Sequence, residues 1–358
     1  MLTRRGVLAG GLVAVGAPLW ARAASPPVLA VPEVDRLELT VLADGTAALF
    51  GVPVSRPDLT IVPTPRLADY RAAFRAEWGY SVLARTTASG GARTTLIDFG
   101  FTPEALTNNM TLAGVDPASI DAMVLSHGHH DHYGGLAALE GTGKLRRGVP
   151  LHVGGEEAFC RRVRGVTPDA PDFGALDRTE LDAAGVRLVI SPDARLVGDH
   201  GFVTGKIPLA SAERPKTPTA MRPGQGCRRV ALAPEKRMRD LVIDDAAHEL
   251  GTAFHVKGRG LVVIGSCSHR GIINTVLRAQ AVSGIAKVHA IMGGFHLVPP
   301  QTPAQAEATV AMMQALAPDY VFPGHCSGEQ FIAPALAAMP DKVFRAPVGT
   351  RIVLGAQG

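Results

Sequence analysis

Four short apolar runs in this chain each stop close to a histidine, and this arrangement limits the folds that the chain can adopt. Runs of four to six apolar residues without polar alternation are typical of strands buried on both faces. Their ends read, in chain order, Leu125-Ser126-His127, Gly265-Ser266-Cys267-Ser268-His269, Gly293-Gly294-Phe295-His296 and Pro323-Gly324-His325. Loops that leave the ends of such strands are where α/β folds bind ligands. One such histidine could be incidental, but four at equivalent places predict a shared site.

Strand-like runs alternate with helical stretches, which predicts an α/β layered fold. The predicted strands cover residues 36–43, 93–98, 122–126, 186–191, 261–266, 288–292 and 319–322. The clearest helix is Pro303–Leu316, because Thr302 is a good N-cap and Gln305 completes a capping box. A second helix is predicted over 272–281. The segment 161–239 is rich in Pro, Gly and Arg, and we predict a loop-rich insertion there.

The strongest single signal is the segment His127-Gly128-His129-His130-Asp131-His132-Tyr133-Gly134-Gly135. So many imidazoles around a carboxylate, directly after an apolar strand, are costly unless a cation holds them together. The spacing lets His127 and His129 converge on one ion while Asp131 and His132 face a second. The glycines allow the backbone to bend tightly around both. The alternative interpretation is a histidine-rich surface loop.

The pattern His127-x-His129-x-Asp131-His132 resembles the signature of the metallo-β-lactamase superfamily. Further segments in matching order look like the subgroup of dihydropterin-ribofuranosylaminobenzene 5′-phosphate synthase-like metallo-hydrolases. These segments are Glu77–Ser81, Thr95–Gly100, Thr204–Pro208, Gly265–Ile272, Gly293–Leu297 and Pro323–Gly328. The resemblance implies a four-layer αβ/βα sandwich with a dinuclear metal site between its two sheets.

The resemblance also implies a set of metal ligands and their roles. The implied ligands are His127 and His129 at the first ion, Asp131 and His132 at the second, and His269 and His325 as the remaining histidines. The cofactors would be two divalent ions, with zinc expected and manganese or iron as alternatives. Many superfamily members bridge the ions with an aspartate, but the comparable strand end here contains Cys267 and no carboxylate. Either the Cys267 thiolate takes part, or water alone bridges.

Several residues near these ligands keep more than one interpretation. His296 could be a ligand, a substrate contact or a proton donor. Cys267 and Cys326 each lie within two residues of a candidate ligand, so they should be neighbours; they could be small buried residues, a thiolate ligand or a disulfide. Asp98 follows a strand and could orient a ligand histidine.

Three further polar residues are less clear. Arg270, beside a candidate ligand, is either a contact for an anionic group of the substrate or an exposed structural arginine. Asp244 and Asp245 could equally form a solvated turn or serve the site.

The amino-terminal residues 1–24 have the order of a twin-arginine export signal. Arg4-Arg5 precedes an apolar run to Trp20 that is too short to span a bilayer, and Ala21-Arg22-Ala23 matches a cleavage pattern. An uncleaved membrane anchor or a helical N-terminus are the alternatives. The chain has 36 basic and 32 acidic residues, and three basic residues but no acidic one lie in 1–24. The remaining domain, 25–358, is therefore almost neutral, which removes the main argument for a nucleic-acid partner.

Together these features predict an exported, dinuclear-metal-dependent hydrolase that acts on a phosphoester or another ester or lactone-type small molecule. Two metal ions lower the pKa of a bridging water, so that hydroxide is available at neutral pH. Asp131 or His132 would help to position this water, and His296 or Tyr133 could protonate the leaving group. We expect an anionic substrate, the twin-arginine machinery as a partner, and no stable membrane span in the mature form. The alternatives are an iron-dependent redox enzyme or a non-catalytic binding protein on the same fold.

Overall fold

The structure is a computed structural model that describes residues 28–140 and 144–355. Its strands are β1 (Glu33–Val34), β2 (Arg36–Ala43), β3 (Val54–Arg56), β4 (Leu59–Val62), β5 (Ser81–Ala88), β6 (Gly91–Ile97), β7 (Ala122–Leu125), β8 (Pro150–Val153), β9 (Arg161–Arg164), β10 (Asp172–Gly174), β11 (Arg187–Ile190), β12 (Arg195–Val197), β13 (Gly201–Val203), β14 (Thr219–Arg222), β15 (Val242–Ile243), β16 (Thr252–Val256), β17 (Gly260–Gly265), β18 (Val288–Gly293), β19 (Tyr320–Pro323) and β20 (Arg351–Gly355). Its helices are α1 (Pro103–Leu112), α2 (His130–Tyr133), α3 (Ala137–Glu140), α4 (Arg178–Ala183), α5 (Pro234–Arg237), α6 (Ile272–Ser283), α7 (Pro303–Leu316) and α8 (Glu329–Ala338). The predicted export signal, 1–24, lies outside the described residues.

Two large sheets form the centre of the molecule. One has the strand order β11-β8-β7-β6-β5-β2-β20-β4-β3, and the other has the order β12-β13-β16-β17-β18-β19 with β1 beside β16. Helix α1 packs on the outer face of the first sheet, and α6, α7 and α8 pack on the outer face of the second. The predicted four-layer αβ/βα sandwich is therefore confirmed.

The alternation of side chains explains why the strand sequences are apolar on both faces. In β17, Leu261 and Val263 pack against the helices, whereas Val262 and Ile264 face the other sheet and its Leu39. Each such side chain, fully buried, contributes about 1.5–3 kcal/mol to stability. The apolar runs are thus a consequence of burial between two layers.

The carboxyl ends of the parallel strands meet along one edge of the sandwich. Strands β6, β7 and β8 are parallel to one another, as are β17, β18 and β19 in the facing sheet. The loops after β6, β7, β17, β18 and β19 carry Asp98, His127, His269, His296 and His325. The topology therefore gathers all four predicted histidine loops at one place.

The segment 161–239 contains more regular structure than the predicted loop-rich insertion. Strand β11 belongs to the first large sheet, and β12 and β13 belong to the second. Strands β10, β9, β14 and β15 form a third, four-stranded sheet, which we call the small sheet. The strands of the small sheet are two to four residues long and include the arginine-rich β9, so they lack the apolar pattern that identifies strands in a sequence.

The predicted helices agree well with the structure. Helix α7 has the predicted bounds, and the capping box between Thr302 and Gln305 is formed. Helix α6 begins at Ile272 as predicted and extends to Ser283, where Gly284 ends it in a left-handed conformation. In residues 28–140 and 144–355, no helix is both long and apolar enough to cross a bilayer.

A disulfide between Cys160 and Cys227 fastens the small sheet, since Cys160 directly precedes β9. The bond closes a loop of 67 residues, and such a cross-link restricts the unfolded chain. We predict that Cys160→Ser/Cys227→Ser lowers the free energy of unfolding by about 2–4 kcal/mol, measured by chemical denaturation. A reductant should destabilise the wild-type chain and leave the double variant unchanged; equal sensitivity of both proteins would contradict this assignment.

Candidate functional site

Strained backbone marks the loops at this edge of the sandwich. Asp98, Ser268, His296 and His325 all have positive φ, between 43° and 56°, a conformation that residues other than glycine rarely adopt. Such residues cluster at functional sites because the surrounding structure must hold them there. The four lie on four different loops, so the strain is concentrated where the loops converge.

One cluster of possible metal ligands consists of His127, His129 and His269, whose ligand atoms lie within 4.8 Å of one another. The Nε2 atoms of His127 and His269 are 3.1 Å apart. His129 uses Nε2 to contact Asp244 and Thr219, which leaves Nδ1 for the site. The structure therefore brings together three histidines that the sequence assigned to a metal site.

A second cluster consists of Asp131, His132 and His325, again within 4.8 Å of one another. The Nε2 atoms of His132 and His325 are 3.2 Å apart, and His325 Nε2 lies 3.6 Å from Asp131 Oδ2. His127 and His132 are neighbours, with ring centroids 4.2 Å apart, so the two clusters are adjacent. All six predicted ligands thus lie in one compact group.

Cys267 lies between the two clusters. Its sulfur lies within 4.8 Å of ligand atoms of His127 and His132, which is close enough to share an ion with them. It also lies within 4.8 Å of ligand atoms of His269 and His296. The Cys267 and Cys326 sulfurs are 3.1 Å apart, which confirms that they are neighbours, and both are free and buried. The loop after β17, which has no carboxylate that could bridge two ions, therefore presents the Cys267 thiol between the two clusters.

Asp98 holds both clusters from behind. It accepts hydrogen bonds from the Ser126 backbone N–H and hydroxyl, at 2.7 and 2.6 Å, and its Oδ2 lies 2.7 Å from His132 Nδ1. The Ser126 hydroxyl in turn lies 2.9 Å from His127 Nδ1. The predicted orienting role of Asp98 agrees with this geometry, which aims the Nε2 atoms of two histidines at the site.

His129 is held by Asp244, for which the sequence left a role at the site open, and by Thr219, which the sequence did not single out. Asp244 Oδ2 and Thr219 Oγ1 lie 3.2 and 3.0 Å from its Nε2, and the buried Arg162 donates to Asp244 at 2.6 Å. Asp244 thus serves the site, whereas Asp245 is 45% exposed and pairs with a lysine. Arg162 could have pointed to this contact only if the sequence had shown that it is buried, and nothing in its segment shows that.

The electrostatics of the clusters favour a bound cation. Burial and the neighbouring histidines lower the pKa of His127 and His269, so these imidazoles are neutral and offer a lone pair. Burial also lowers the pKa of His132, but Asp131 and Asp98 outweigh it and raise that pKa to about 9. The cluster of Asp131, His132 and His325, with Asp98 behind it, therefore stabilises positive charge.

The donor set fits divalent metal ions. Tetrahedral zinc with bonds of about 2.0–2.1 Å to nitrogen requires ligand atoms about 3.3 Å apart. The two Nε2 pairs, at 3.1 and 3.2 Å, are close to this spacing. Buried His296 Nε2 also has no hydrogen-bond partner among the described residues. Imidazole, carboxylate and thiol donors in this arrangement suit zinc, with iron and manganese also compatible.

The clusters open into a cavity of about 340 Å³. Its lining residues are Trp78, His129, Asp131, Arg164, Phe173, Pro218, Thr219, Cys267, His269, His296, Val298, Pro299, His325 and Cys326. His296 is therefore in position to meet a substrate, whereas Tyr133 packs in the hydrophobic core behind the site. Arg270 donates to the carbonyls of Ile207 and Asp245, at 3.0 and 3.2 Å, and does not line this cavity. Its guanidinium has a structural role here.

Comparisons with known proteins agree with the fold and the motif. Residues 78–233 match the sequence profile of the Metallo-beta-lactamase superfamily. A 264-residue stretch is 28% identical to 7,8-dihydropterin-6-methyl-4-(beta-D-ribofuranosyl)-aminobenzene-5'-phosphate synthase of Methanocaldococcus jannaschii, covering 73% of this chain and 84% of that protein. The solved structure of Tm1679, a metal-dependent hydrolase of the beta-lactamase superfamily, has a TM-score of 0.65 at 22% identity, covering 88% of this chain and 98% of that one.

Asp98 provides a test of whether this site binds metal. We predict that Asp98→Asn weakens zinc binding about 10–100-fold, because one of the two oxygens that accept from Ser126 and His132 becomes an N–H donor and the negative charge is lost, as measured by competition with a chromogenic chelator. Asp319→Asn is the matched control, since Asp319 Oδ2 holds the buried His289 at 2.9 Å, at the opposite end of β18 from the site. Equal zinc affinity in the two folded variants would contradict the assignment.

Proposed function

We propose that this chain, whose residues 78–233 match the profile of the metallo-β-lactamase superfamily, is a metal-dependent hydrolase of small-molecule esters. The observation that carries this proposal is the pair of adjacent ligand clusters that open into one cavity. His127, His129 and His269 would hold one divalent ion, and Asp131, His132 and His325 would hold a second. Cys267, whose sulfur lies near donors of both clusters, would contribute a thiolate ligand. Zinc is the expected metal, with manganese or iron as alternatives.

Two divalent ions in such a site supply Lewis acidity, which activates water and stabilises the charge that develops on substrate oxygens. The protein's contribution is rigid placement of the donors. Asp98 and Asp244 each hold a histidine by the nitrogen that faces away from the site, which sets the tautomer and the ring orientation. The strained loops keep these donors fixed before the substrate arrives.

His296 is the proposed proton donor for the leaving group. It lines the cavity, its Nδ1 lies 3.5 Å from the Cys267 sulfur, and its Nε2 has no hydrogen-bond partner among the described residues. A general acid needs a nitrogen that is free to reach the substrate, and Nε2 meets this requirement. Asp131 and His132, besides holding metal, would fix the position of the attacking water.

The proposed substrate is a small anionic ester, with a phosphoester preferred. The name of the 28% identical relative contains a phosphate group, which supports a phosphorylated ligand for this chain as well. That relative is named as a synthase, so its name does not support hydrolysis. Hydrolysis is favoured here because water is the only co-reactant that a site of this kind requires.

The decisive experiment measures metal content and turnover together. The purified chain would be assayed with phosphodiester, phosphomonoester, lactone and carboxylic ester substrates, with and without a chelator. We expect about two zinc ions per chain and turnover that the chelator abolishes. Stoichiometric iron with oxygen consumption would indicate a redox enzyme instead, and ligand binding without turnover would indicate a binding protein.

Two neighbouring histidines of the same segment distinguish metal binding from general damage to this loop. His129→Ala removes a proposed ligand and should lower kcat/KM by at least about a hundredfold, more than the loss typical of residues behind a ligand. His130→Ala is the control, because its ring packs against Phe101 and Tyr133 and belongs to neither cluster. Comparable losses in both variants, measured by steady-state kinetics, would contradict the ligand assignment.

We further propose that the chain is exported through the twin-arginine machinery, on the sequence of residues 1–24. This route transports folded chains, so the metal could be bound before export. Arg4→Lys/Arg5→Lys should retain the chain in the cytoplasm, as followed by fractionation and immunoblotting with a signal-less control. Processed wild-type protein found only in the cytosol would rule out export.

A further inference from the structure

One arginine and no lysine line the site cavity among the described residues, and we propose that this residue, Arg164, binds an anionic group of the substrate next to the bond that reacts. The inference rests on the proposed function and adds the residue that would select the substrate. Of the described residues that line the cavity, Arg164 is the only lysine or arginine.

The guanidinium of Arg164 is free to bind a ligand. Its strand neighbours are not: Arg161 pairs with Asp172, and Arg162 pairs with the buried Asp244. Among the described side chains, no carboxylate lies within 4.0 Å of Arg164. An arginine presents several N–H donors in a planar fork that matches phosphate or carboxylate oxygens. Arg164 is thus the arginine of β9 that has no carboxylate partner among the described side chains, and it lines the cavity.

The position of Arg164 is set relative to the proposed metal ligands. Arg164 and Thr219 are directly paired between β9 and β14, and the Thr219 hydroxyl contacts His129 Nε2 at 3.0 Å. The guanidinium lies 5.4 Å from the ring centroid of Phe173, which in turn lies 5.7 Å from the ring of His129. One aromatic ring therefore separates the cation from a ligand of the first cluster.

The Phe173 ring favours this placement in two ways. A guanidinium near an aromatic face is stabilised by the ring quadrupole, which restricts the arginine without using its N–H donors. The same ring lines the cavity, so it keeps the guanidinium of the exposed Arg164 at the cavity mouth. An anionic group held by Arg164 would thus lie within reach of the proposed metal site, where the ester bond could be attacked.

The test compares Arg164→Ala and Arg164→Lys with the zinc-loaded wild-type chain. Inorganic phosphate and acetate are titrated by calorimetry, and anionic and neutral aryl esters are compared by steady-state kinetics. We expect Arg164→Ala to weaken phosphate binding about ten- to hundredfold, the loss typical of hydrogen bonds to a charged group, and Arg164→Lys to restore part of it. KM for the anionic ester should rise by a similar factor while kcat and the neutral ester change little.

Arg187→Ala is the matched control, because it removes an exposed arginine of β11 that lines a different cavity. A parallel loss of acetate binding in Arg164→Ala would assign the contact to oxyanions in general, and a loss for phosphate alone would assign it to phosphate. Equal phosphate affinity in wild type and Arg164→Ala, or an equal loss in Arg187→Ala, would overturn the proposal. If the wild type hydrolyses nothing, the proposed function fails, and the calorimetry still decides the role of Arg164.

Discussion

The hydrogen bonds of Asp98 are the interaction on which the rest of the site depends. This buried carboxylate follows β6 and accepts from Ser126 at the end of β7, so it joins two parallel strands at the point where both become loops. Its second oxygen lies against His132, and Ser126 passes the contact on to His127. The positive φ of Asp98 is the conformational cost of this arrangement. Without this carboxylate, His127 and His132, one from each cluster, would no longer be held by the same group.

The small sheet has a corresponding role on the opposite side. Asp244 and Thr219 fix His129 from this unit, and Arg162 keeps the Asp244 carboxylate charged and oriented within a buried environment. A buried ion pair of this kind adds little net stability, because desolvation offsets most of the attraction. Its value lies in the defined direction that it gives to one imidazole. Strand β9 also places Arg164 at the cavity, so the residue that orients a proposed metal ligand and the proposed substrate contact lie on one strand.

The sequence predicted the parts of this molecule that depend on local pattern. The apolar runs, the capping box of α7 and the spacing of His127–His132 are all readable over a few residues. Contacts made through the small sheet were not predictable: His129 and Asp244 are 115 residues apart, and the short strands that bring them together have no apolar periodicity. The disulfide was missed for a related reason, since a count of cysteines does not determine their pairing. For Arg270, beside His269, the sequence left both an anion contact and a structural role open, because sequence adjacency does not determine where a long side chain points.

The charge balance of the site gives a physical reason for the proposed preference for anions. Two divalent ions would bring four positive charges, and the proposed ligands return one negative charge from Asp131 and at most one more from a Cys267 thiolate. Burial raises the pKa of the Cys267 thiol, so this residue would neutralise the proposed ions less readily than a carboxylate would. Arg164 adds to this excess at the rim of the cavity. A neutral ester would gain little from such a field, whereas the proposed anionic ester would be attracted by both the ions and the guanidinium.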